Sequence, residues 1–460
     1  MIHVFSHYVP VRVVILAALE GLLLLLAAYA GVYLHVAASG EAATGLSSHA
    51  GVFAVGTMAV MAGMGLYQPD LWSNKAFLAM RLAVSFLLAA LLMALFSHVT
   101  PMANSGMAAL GIALSLALVG SILLRTIFHQ WSKADAFRPR VLVLGTGTRA
   151  VKLATHADFN PHHDVVGFVA LQSSRHYVPE SRVLAMEPGQ TLNSLVKKHA
   201  IDQIVIAIRD RRGGALPIGQ LLECKAMGVK IMEMPTFFER EYRQVLLESL
   251  NPSWMVLGSG FRKDWLSDFV KRTFDVVASI VLLLLTWPIM LMAAVCIYFE
   301  SGGPVLFRQE RVGKGGRTFN LYKFRSMRHD AEKGGKPQWA KANDDRTTRV
   351  GRFIRKVRID ELPQVFNVLR GDMSFVGPRP ERPFFVDQLA KQIPYYALRH
   401  SAKPGITGWA QVRYPYGATV DDAIEKLQYD LYYVKNHSLF LDLMILISTI
   451  EVVLWGKGAR

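Results

Sequence analysis

Residues 276–299 decide how this chain meets a membrane, and they read VVASIVLLLLTWPIMLMAAVCIYF. The segment carries no charge and is long enough for a helix to cross a bilayer. Pro288 lies at its middle, where proline removes a helical hydrogen bond and favours a kink. Basic residues flank both ends: Lys271 and Arg272 before it, Arg308, Arg311 and Lys314 after it. Since Lys and Arg concentrate on the cytosolic side, the pattern predicts a re-entrant helix over about 272–300, with a kinked spanning helix as the alternative.

Four further apolar runs open the chain, near Val13–Leu34, Ala50–Leu66, Ala76–Val99 and Met102–Leu124. Each approaches the ~20 residues that a spanning helix needs, so we predict a four-helix membrane bundle over residues 1–132. The first run could be a signal peptide followed by the small residues Ala37-Ala38-Ser39, but three more runs follow it, which favours an anchor. Basic residues lie before the first run and after the fourth, so both ends of the bundle are expected in the cytosol; they are Arg12, Arg125, Lys133, Arg138 and Arg140.

Residues 139–258 alternate short β-rich runs with helical stretches, which predicts a soluble, Rossmann-like α/β domain with a parallel sheet. A Gly-x-Gly-x-x-Ala turn over Gly145–Ala150 follows the first predicted strand and could hold a phosphate at a helix N-terminus. The second predicted strand, Asp164–Val169, ends without the carboxylate that would bind a ribose. The favoured interpretation is a tight strand-to-helix turn without a cofactor.

The charge of the chain is concentrated where the apolar runs end. The net charge is +16, and residues 301–380 contain 18 Lys and Arg against 8 Asp and Glu. A basic surface beside a membrane attracts anionic lipids and phosphorylated substrates. No nucleic-acid recognition motif accompanies the charge, so nucleic acid is not an expected partner. The two cysteines cannot form a disulfide framework, which fits soluble parts in the cytosol.

Candidate catalytic residues are densest in six motifs: Gly303–Gly313, Tyr322–Met327, Asp345–Arg355, Arg358–Gln364, Gly371–Glu381 and Lys403–Gln411. They surround one adjacent carboxylate pair, Asp360 and Glu361, with many cations. Phosphoryl transfer needs charge neutralisation and often a divalent metal, and a carboxylate can act as a nucleophile through an acyl phosphate. Taken alone, such a pair is usually a solvated surface feature; in this basic region it predicts a nucleophile with a Mg²⁺ or proton partner.

Over about Lys271–Arg460 the chain resembles the polyprenyl-phosphate hexose-1-phosphate transferases of the bacterial sugar transferase family, since these motifs occur in that family's order. The bundle and the α/β domain resemble the family's long form, found in enzymes that prime exopolysaccharide and O-antigen synthesis. The resemblance implies that residues 261–460 form a mainly α, monotopic catalytic domain with a re-entrant helix broken at Pro288. Two positions depart from the family pattern: Trp287, where Ser is common, and Arg358-Ile359, where Ser/Thr-Leu is common.

The resemblance also implies roles for single residues. Asp360 is the expected nucleophile, and Glu361 its acidic partner at a Mg²⁺ site. Arg355 and Arg379 correspond to phosphate-binding arginines, and Pro378-Arg379-Pro380 to a turn that contacts the nucleotide. Lys323 and Arg325 belong to the family's Lys-Phe-Arg-Ser-Met segment near the membrane face.

The expected reaction moves hexose-1-phosphate from a UDP-hexose to undecaprenyl phosphate and releases UMP, at the cytoplasmic face of the bacterial inner membrane. Glucose and galactose are the first expected hexoses, with N-acetylated sugars left open, and a homodimer is plausible. A nucleotide-sugar dehydratase would need a Tyr-x-x-x-Lys pair, and a processive glycosyltransferase a Gln-x-x-Arg-Trp motif; the sequence contains neither. A membrane-anchored sensor or assembly scaffold that binds nucleotide sugars remains the alternative.

Overall fold

The computed structural model describes residues 2–4, 7–9, 11–40, 50–67, 75–99, 104–132, 138–157, 163–171, 177–186, 189–208, 216–250, 265–328, 346–415, 417 and 419–455. Its contacts divide the chain into two units, one formed by Met1–Ile122 with Ser259–Arg460 and the other by Leu123–Gly258. Lys133, Asp345 and the predicted domain start at Phe261 lie outside the described residues.

The first unit begins with a short antiparallel hairpin, Ile2–Val4 with His7–Val9, followed by four apolar helices, of which the last continues past Ile122 into the residues of the second unit. These helices are Val11–Ser39, Ala50–Gly63, Lys75–Val99 and Asn104–Ser132. The first, third and fourth are long and apolar enough to cross a membrane. They pack through small and apolar side chains, and a Cβ on Gly31 would collide with Ala109 and Ala113, which shows how closely two of the helices approach.

The second helix of this bundle is shorter than the sequence predicted. The apolar run continues to Leu66, but the helix ends at Gly63 after 14 residues, roughly 21 Å against a hydrocarbon core of about 30 Å. Gly65 adopts a left-handed conformation with φ of 76°, and the Leu66 amide bonds the Met61 carbonyl. These are features of a glycine-terminated helix, so backbone geometry rather than hydropathy sets the end.

A long apolar helix, Trp265–Ser301, precedes the charged motifs in the same unit and contains Pro288. Its 37 residues satisfy the length and hydropathy of a membrane span. Both of its ends are fastened to the region that follows. Near its start, Asp275 accepts bonds from the Ser374 hydroxyl and the Phe375 amide. At its end, Arg325 donates to the Ser301 carbonyl at 3.0 Å.

The region after this helix combines small β elements with charged helices. An antiparallel hairpin pairs Leu306–Val312 with Thr318–Phe324, and a short parallel pair joins Ser374–Val376 to Gly405–Thr407. The helices around them are Arg349–Lys356, Val365–Arg370, Pro383–Gln392, Trp409–Arg413, Val420–Asn436 and Leu439–Trp455. The helix Val420–Asn436 begins with a capping box of Thr419 and Asp422, which satisfies amides that the first turn leaves unpaired.

The second unit is an α/β fold around a five-stranded parallel sheet. Along the sheet the strands run in the order Val183–Leu184, Asp164–Val169, Arg140–Leu144, Gln203–Ile206, Lys230–Glu233. The helices Thr148–Ala157, Leu192–Lys198, Ile218–Ala226 and Met234–Glu241 lie between and after them. Separate apolar clusters cover the two faces of the central strands, as expected for parallel strands buried on both sides.

Candidate active site

A short 3₁₀ turn, Ile359–Gln364, places the two adjacent carboxylates. Arg358, immediately before it, adopts a left-handed conformation with φ of 61°, which is uncommon for a residue with a side chain. The Glu361 amide bonds the Arg358 carbonyl, and Ile359 packs against the apolar cluster at the end of the long apolar helix. The strained residue and this packing hold the carboxylates at a defined position.

Glu361 is held by two cations. The Lys323 ammonium donates to Glu361 Oε1 at 2.9 Å, and the Arg379 guanidinium donates to the same oxygen at 3.2 Å. Burial by itself would raise the pKa of Glu361, but Lys323 and Arg379 outweigh burial and hold that pKa well below its usual range. Glu361 is therefore ionised, and its charge is balanced within the site.

Asp360 is buried as well, with 8% of its surface exposed, yet it makes no hydrogen bond or ion pair with any residue that the structure describes. Burial and the neighbouring Glu361 raise the pKa of Asp360 to about 6, against the attraction of Lys323, Arg358 and Arg355. A carboxylate that lies near cations without being bonded to one keeps both oxygens available for an electrophile or a metal.

The turn Pro378-Arg379-Pro380 is fixed by its backbone. Each of its three carbonyls accepts a hydrogen bond at 3.0 Å, from Gly405, Arg399 and Arg311 respectively. The preceding residue, Gly377, passes so close to the neighbouring strand that an added Cβ would collide with the Lys403 carbonyl. The glycines of the two motifs are therefore needed for a backbone crossing that holds Arg379 beside Glu361.

Arg399 supports this turn, although it belongs to none of the motifs identified in the sequence. It is buried, pairs with Asp430 at 2.7 Å, and donates to the Tyr396 hydroxyl at 2.7 Å and to the Arg379 carbonyl. Arg399 and Asp430 are far apart in sequence, in segments without a motif. An isolated charge inside an amphipathic pattern was the available signal, and it is too common to be decisive.

The structure brings Lys323, Arg355 and Arg379 close to Asp360 and Glu361, while the catalytic and phosphate-binding roles of these residues stay predictions. Arg325 is used differently. It is buried and donates to the carbonyls of Ser301 and Gly302, where it caps the end of the long apolar helix. Pro288 lies inside that helix, 13 residues before its end. Arg325 therefore stabilises the end of the long apolar helix, while its role in substrate binding and the helix break at Pro288 stay predictions.

The carboxylate pair also fits a hard divalent cation. Within the described part of the chain no three His, Cys, Asp or Glu side chains converge as a metal cage. Mg²⁺ is commonly bound by one or two carboxylates and completed by water and substrate phosphate oxygens. Asp360, with its raised pKa and uncommitted oxygens, would gain a counter-charge from such an ion. The residues present are thus compatible with Mg²⁺.

The family model and one of the relatives match only part of the chain, and the family model's match contains the candidate site. Residues 266–456 match the family model described as bacterial sugar transferase. An N-acetylgalactosaminephosphotransferase of Aeromonas hydrophila, named for UDP-N-acetylgalactosamine and undecaprenyl phosphate, is 54% identical over 192 residues, 42% of this chain and 45% of that protein. The match with this relative therefore covers less than half of its length.

Two relatives named UDP-glucose:undecaprenyl-phosphate glucose-1-phosphate transferase extend the comparison. The protein of Xanthomonas campestris pv. campestris is 35% identical over 333 residues, which are 70% of this chain and 67% of the relative. That of Caulobacter vibrioides is 47% identical over 194 residues, 42% of this chain and 72% of the relative. The long match reaches beyond the catalytic motifs, and its extent and identity show that this chain belongs to the bacterial sugar transferase family.

Proposed function

We propose that this chain transfers hexose-1-phosphate from a UDP-hexose to undecaprenyl phosphate, giving undecaprenyl-diphospho-hexose and UMP, the priming step of exopolysaccharide or O-antigen synthesis. The observation that carries the proposal is the buried, unbonded Asp360 beside the compensated Glu361 and a group of cations. Membrane-spanning helices in the same unit fit an acceptor that is a lipid. The names of the relatives supply the two substrates.

The chemistry is a double displacement at one phosphorus. An Asp360 carboxylate oxygen bonds to the β-phosphorus of the donor, while the bond from that phosphorus to the bridging oxygen breaks and UMP leaves with the electron pair. An oxygen of the lipid phosphate then attacks the same phosphorus and releases the Asp360 carboxylate. Each step passes phosphorus between oxygen nucleophiles, so no oxidant or reductant is needed.

The neighbouring residues have separate tasks in this scheme. Arg379 and Arg355 neutralise charge that develops on the phosphoryl oxygens, and Pro378 and Pro380 restrict the turn against which the nucleotide binds. Lys323 keeps Glu361 ionised through their 2.9 Å pair. Asp360 and Glu361 would hold Mg²⁺, which supplies further neutralisation of the diphosphate when it is bound.

The long apolar helix is proposed to be re-entrant, which keeps the site in the cytoplasm with the UDP-sugar. A straight helix would separate Arg272 from Ser301 by roughly 43 Å. Arg272 bonds the carbonyls of Val368 and Leu369 at 2.6 Å, while Ser301 is bonded by Arg325. Asn367 in turn bonds the Tyr322 amide, three residues before Arg325. These bonds connect the two ends of the long apolar helix through a short path, which supports a bend near Pro288.

The α/β unit is proposed to be Rossmann-like and dispensable for chemistry. Its central strand is the first in sequence and its neighbours follow outward on each side, an order that supports a doubly wound fold. The proposed catalytic residues all lie in the other unit. A truncated chain from about Phe261 onward is expected to keep some turnover in membranes, and a correctly folded but inactive truncation would overturn this part. Homodimer formation is a further expectation, which size measurement on the full chain can test.

The proposed reaction is tested with purified full-length protein, undecaprenyl phosphate and a panel of UDP-[¹⁴C]sugars: glucose, galactose, N-acetylglucosamine and N-acetylgalactosamine. One donor is expected to label the lipid fraction, with ping-pong kinetics and a phosphosugar adduct on Asp360 when the acceptor is omitted. Intersecting-line kinetics without an adduct would instead indicate direct displacement. Absence of lipid labelling from every donor, with the protein folded, would refute the proposed function.

A further inference from the structure

A cavity of about 280 Å³ lies outside the carboxylate site, between the start of the long apolar helix and the motif that begins at Lys403. Its charged lining consists of four cations and two carboxylates: Lys271, Arg272, Lys314, Lys403, Asp268 and Asp275. The residues that bond Glu361 or act on Asp360 are not among them. The cavity is therefore a second polar site, separate from the Asp360–Glu361 site where the proposed bond-making steps take place.

Three of these charged groups are committed to structural bonds. Lys271 pairs with Asp442 at 2.5 Å, and Arg272 donates to two carbonyls at the end of the helix Val365–Arg370. Asp275 accepts from the Ser374 hydroxyl and a backbone amide. These groups shape the wall of the cavity and keep few bonding positions for a ligand.

Lys314 and Lys403 are different, because neither makes a hydrogen bond or ion pair within the described part of the chain. The Lys403 ammonium and the Arg272 guanidinium carbon both lie within 4 Å of the point where a Cβ on Gly371 would stand. Burial, Arg272 and Lys314 together lower the pKa of Lys403. Among the described residues, Asp268 is the one carboxylate of the lining that makes no hydrogen bond or ion pair, so the unbonded cations Lys314 and Lys403 outnumber the unbonded acids there. An anion with several acceptor oxygens would relieve this crowding.

The long apolar helix also indicates where the cavity lies relative to the lipid headgroups. Asp268, Lys271, Arg272 and Asp275 recur at helical spacing and form one face. Exposed apolar side chains occupy other positions of the same turns: Trp265, Leu266, Phe269 and Val270. Trp265 stacks on Phe269 with ring centroids 5.8 Å apart. Aromatic side chains concentrate at the level of lipid headgroups, so this exposed apolar face supports a position of the cavity near the phosphate groups of the membrane.

We propose that this cavity binds the phosphate headgroup of an anionic membrane lipid through Lys403 and Lys314. The volume supports a headgroup, because it falls just below the range of about 300–1,000 Å³ typical of sites for larger organic ligands. The lipid source is either bulk anionic phospholipid or a polyprenyl phosphate, which share this phosphate chemistry. The inference needs a membrane-associated chain but not transferase activity, so the two proposals can fail independently.

The test measures lipid retention by the full-length chain in zwitterionic detergent, without UDP-sugar. Phosphatidylglycerol, undecaprenyl phosphate, phosphatidylcholine and inorganic phosphate are each titrated, and bound species are counted by native mass spectrometry. Lys403→Gln is expected to weaken retention of the anionic lipid about fivefold, and adding Lys314→Gln to weaken it about fivefold again. Lys391→Gln, which removes an exposed lysine of the helix Pro383–Gln392, is the matched control and should bind like the wild type.

Comparison of the four titrated species distinguishes the possible sources of the bound phosphate group. Lys403-dependent binding of phosphatidylglycerol identifies bulk phospholipid, and Lys403-dependent binding of undecaprenyl phosphate alone identifies the polyprenyl source; each supports a lipid-headgroup site. Lys403→Arg should restore binding, which separates loss of charge from loss of fold. Equal retention by Lys403→Gln and Lys391→Gln would overturn the proposal. So would Lys403-dependent binding of inorganic phosphate that neither anionic lipid displaces.

Discussion

Two clusters of buried acids and cations lie in the unit that contains Asp360. They differ in whether each buried charge has a bonded partner. In the Arg399–Asp430 cluster, the guanidinium pairs with its carboxylate at 2.7 Å and also bonds a hydroxyl and a carbonyl. In the Asp360–Glu361 cluster, two cations are bonded to Glu361, while Asp360 is bonded to none of the described residues.

Burial and charge alone therefore do not mark a functional group. Removing one partner from a satisfied buried pair leaves an uncompensated charge, which costs stability. An acid that the fold leaves unbonded already carries that cost and retains capacity to bind something else. The two clusters should therefore respond to substitution in opposite ways, one through stability and the other through turnover.

The greatest loss of turnover is expected when Asp360 is replaced. Asp360→Asn should lower turnover by roughly 10⁴-fold or more, because the nucleophile is lost, while the chain stays folded. The measurement is transfer of radiolabelled hexose phosphate to lipid under single-turnover conditions. A variant that retains more than about a tenth of wild-type turnover would show that Asp360 is not the nucleophile.

The second prediction concerns the Arg399–Asp430 cluster, where the main expected effect is on stability. Asp430→Asn should lower the free energy of unfolding by about 3–5 kcal/mol, because Arg399 would remain buried without its counter-ion. Thermal unfolding in detergent measures this loss. Where the variant is folded, its turnover should fall through displacement of the Arg379 turn. The charge-free pair Arg399→Met with Asp430→Leu should be more stable than Asp430→Asn, and equal or lower stability would contradict the argument from an unpaired charge.

A smaller effect is expected when the compensated carboxylate is neutralised. Glu361→Gln removes the counter-charge of Lys323 and Arg379, and we expect turnover to fall about 10²- to 10³-fold, the range for loss of one electrostatic contact in a reacting site. The Mg²⁺ concentration for half-maximal rate should also rise. Asp387→Asn, at an exposed acid of the helix Pro383–Gln392, serves as the control. An unchanged Mg²⁺ dependence would separate Glu361 from the proposed metal.

The smallest expected effect is a pH dependence of stability in the presence of a chelator. Since the pKa of Asp360 in the folded chain is about 6, above its ordinary value of 3.8, ionising Asp360 destabilises the fold. This cost is absent below about pH 4, grows as the pH rises, and is complete above about pH 6, where it should reach on the order of 3 kcal/mol. Asp360→Asn should therefore be more stable than the wild type at pH 8 and equal to it near pH 4. Parallel pH profiles for the two proteins would argue against the raised pKa.

Several features could be predicted from sequence because their causes are local. Long uncharged runs predict apolar helices, and the structure confirms four of them near the N-terminus and a further long one containing Pro288. Alternating β-rich and helical stretches predict the parallel sheet, which is also confirmed. The end of the second bundle helix could not be read from hydropathy, because it depends on the left-handed backbone at Gly65 rather than on apolar character.

Local sequence patterns were sufficient to predict the apolar helices, the α/β segment and the residue types available near Asp360. The pairing of each cation with its carboxylate became visible in the folded chain. Lys323 reaches Glu361 across 38 positions and Arg399 reaches Asp430 from another helix, so no local pattern could assign them. The physical reason is that an ion pair depends on distance and burial in space, and these are fixed when the hairpin, the 3₁₀ turn and the glycine crossing at Gly377 pack together.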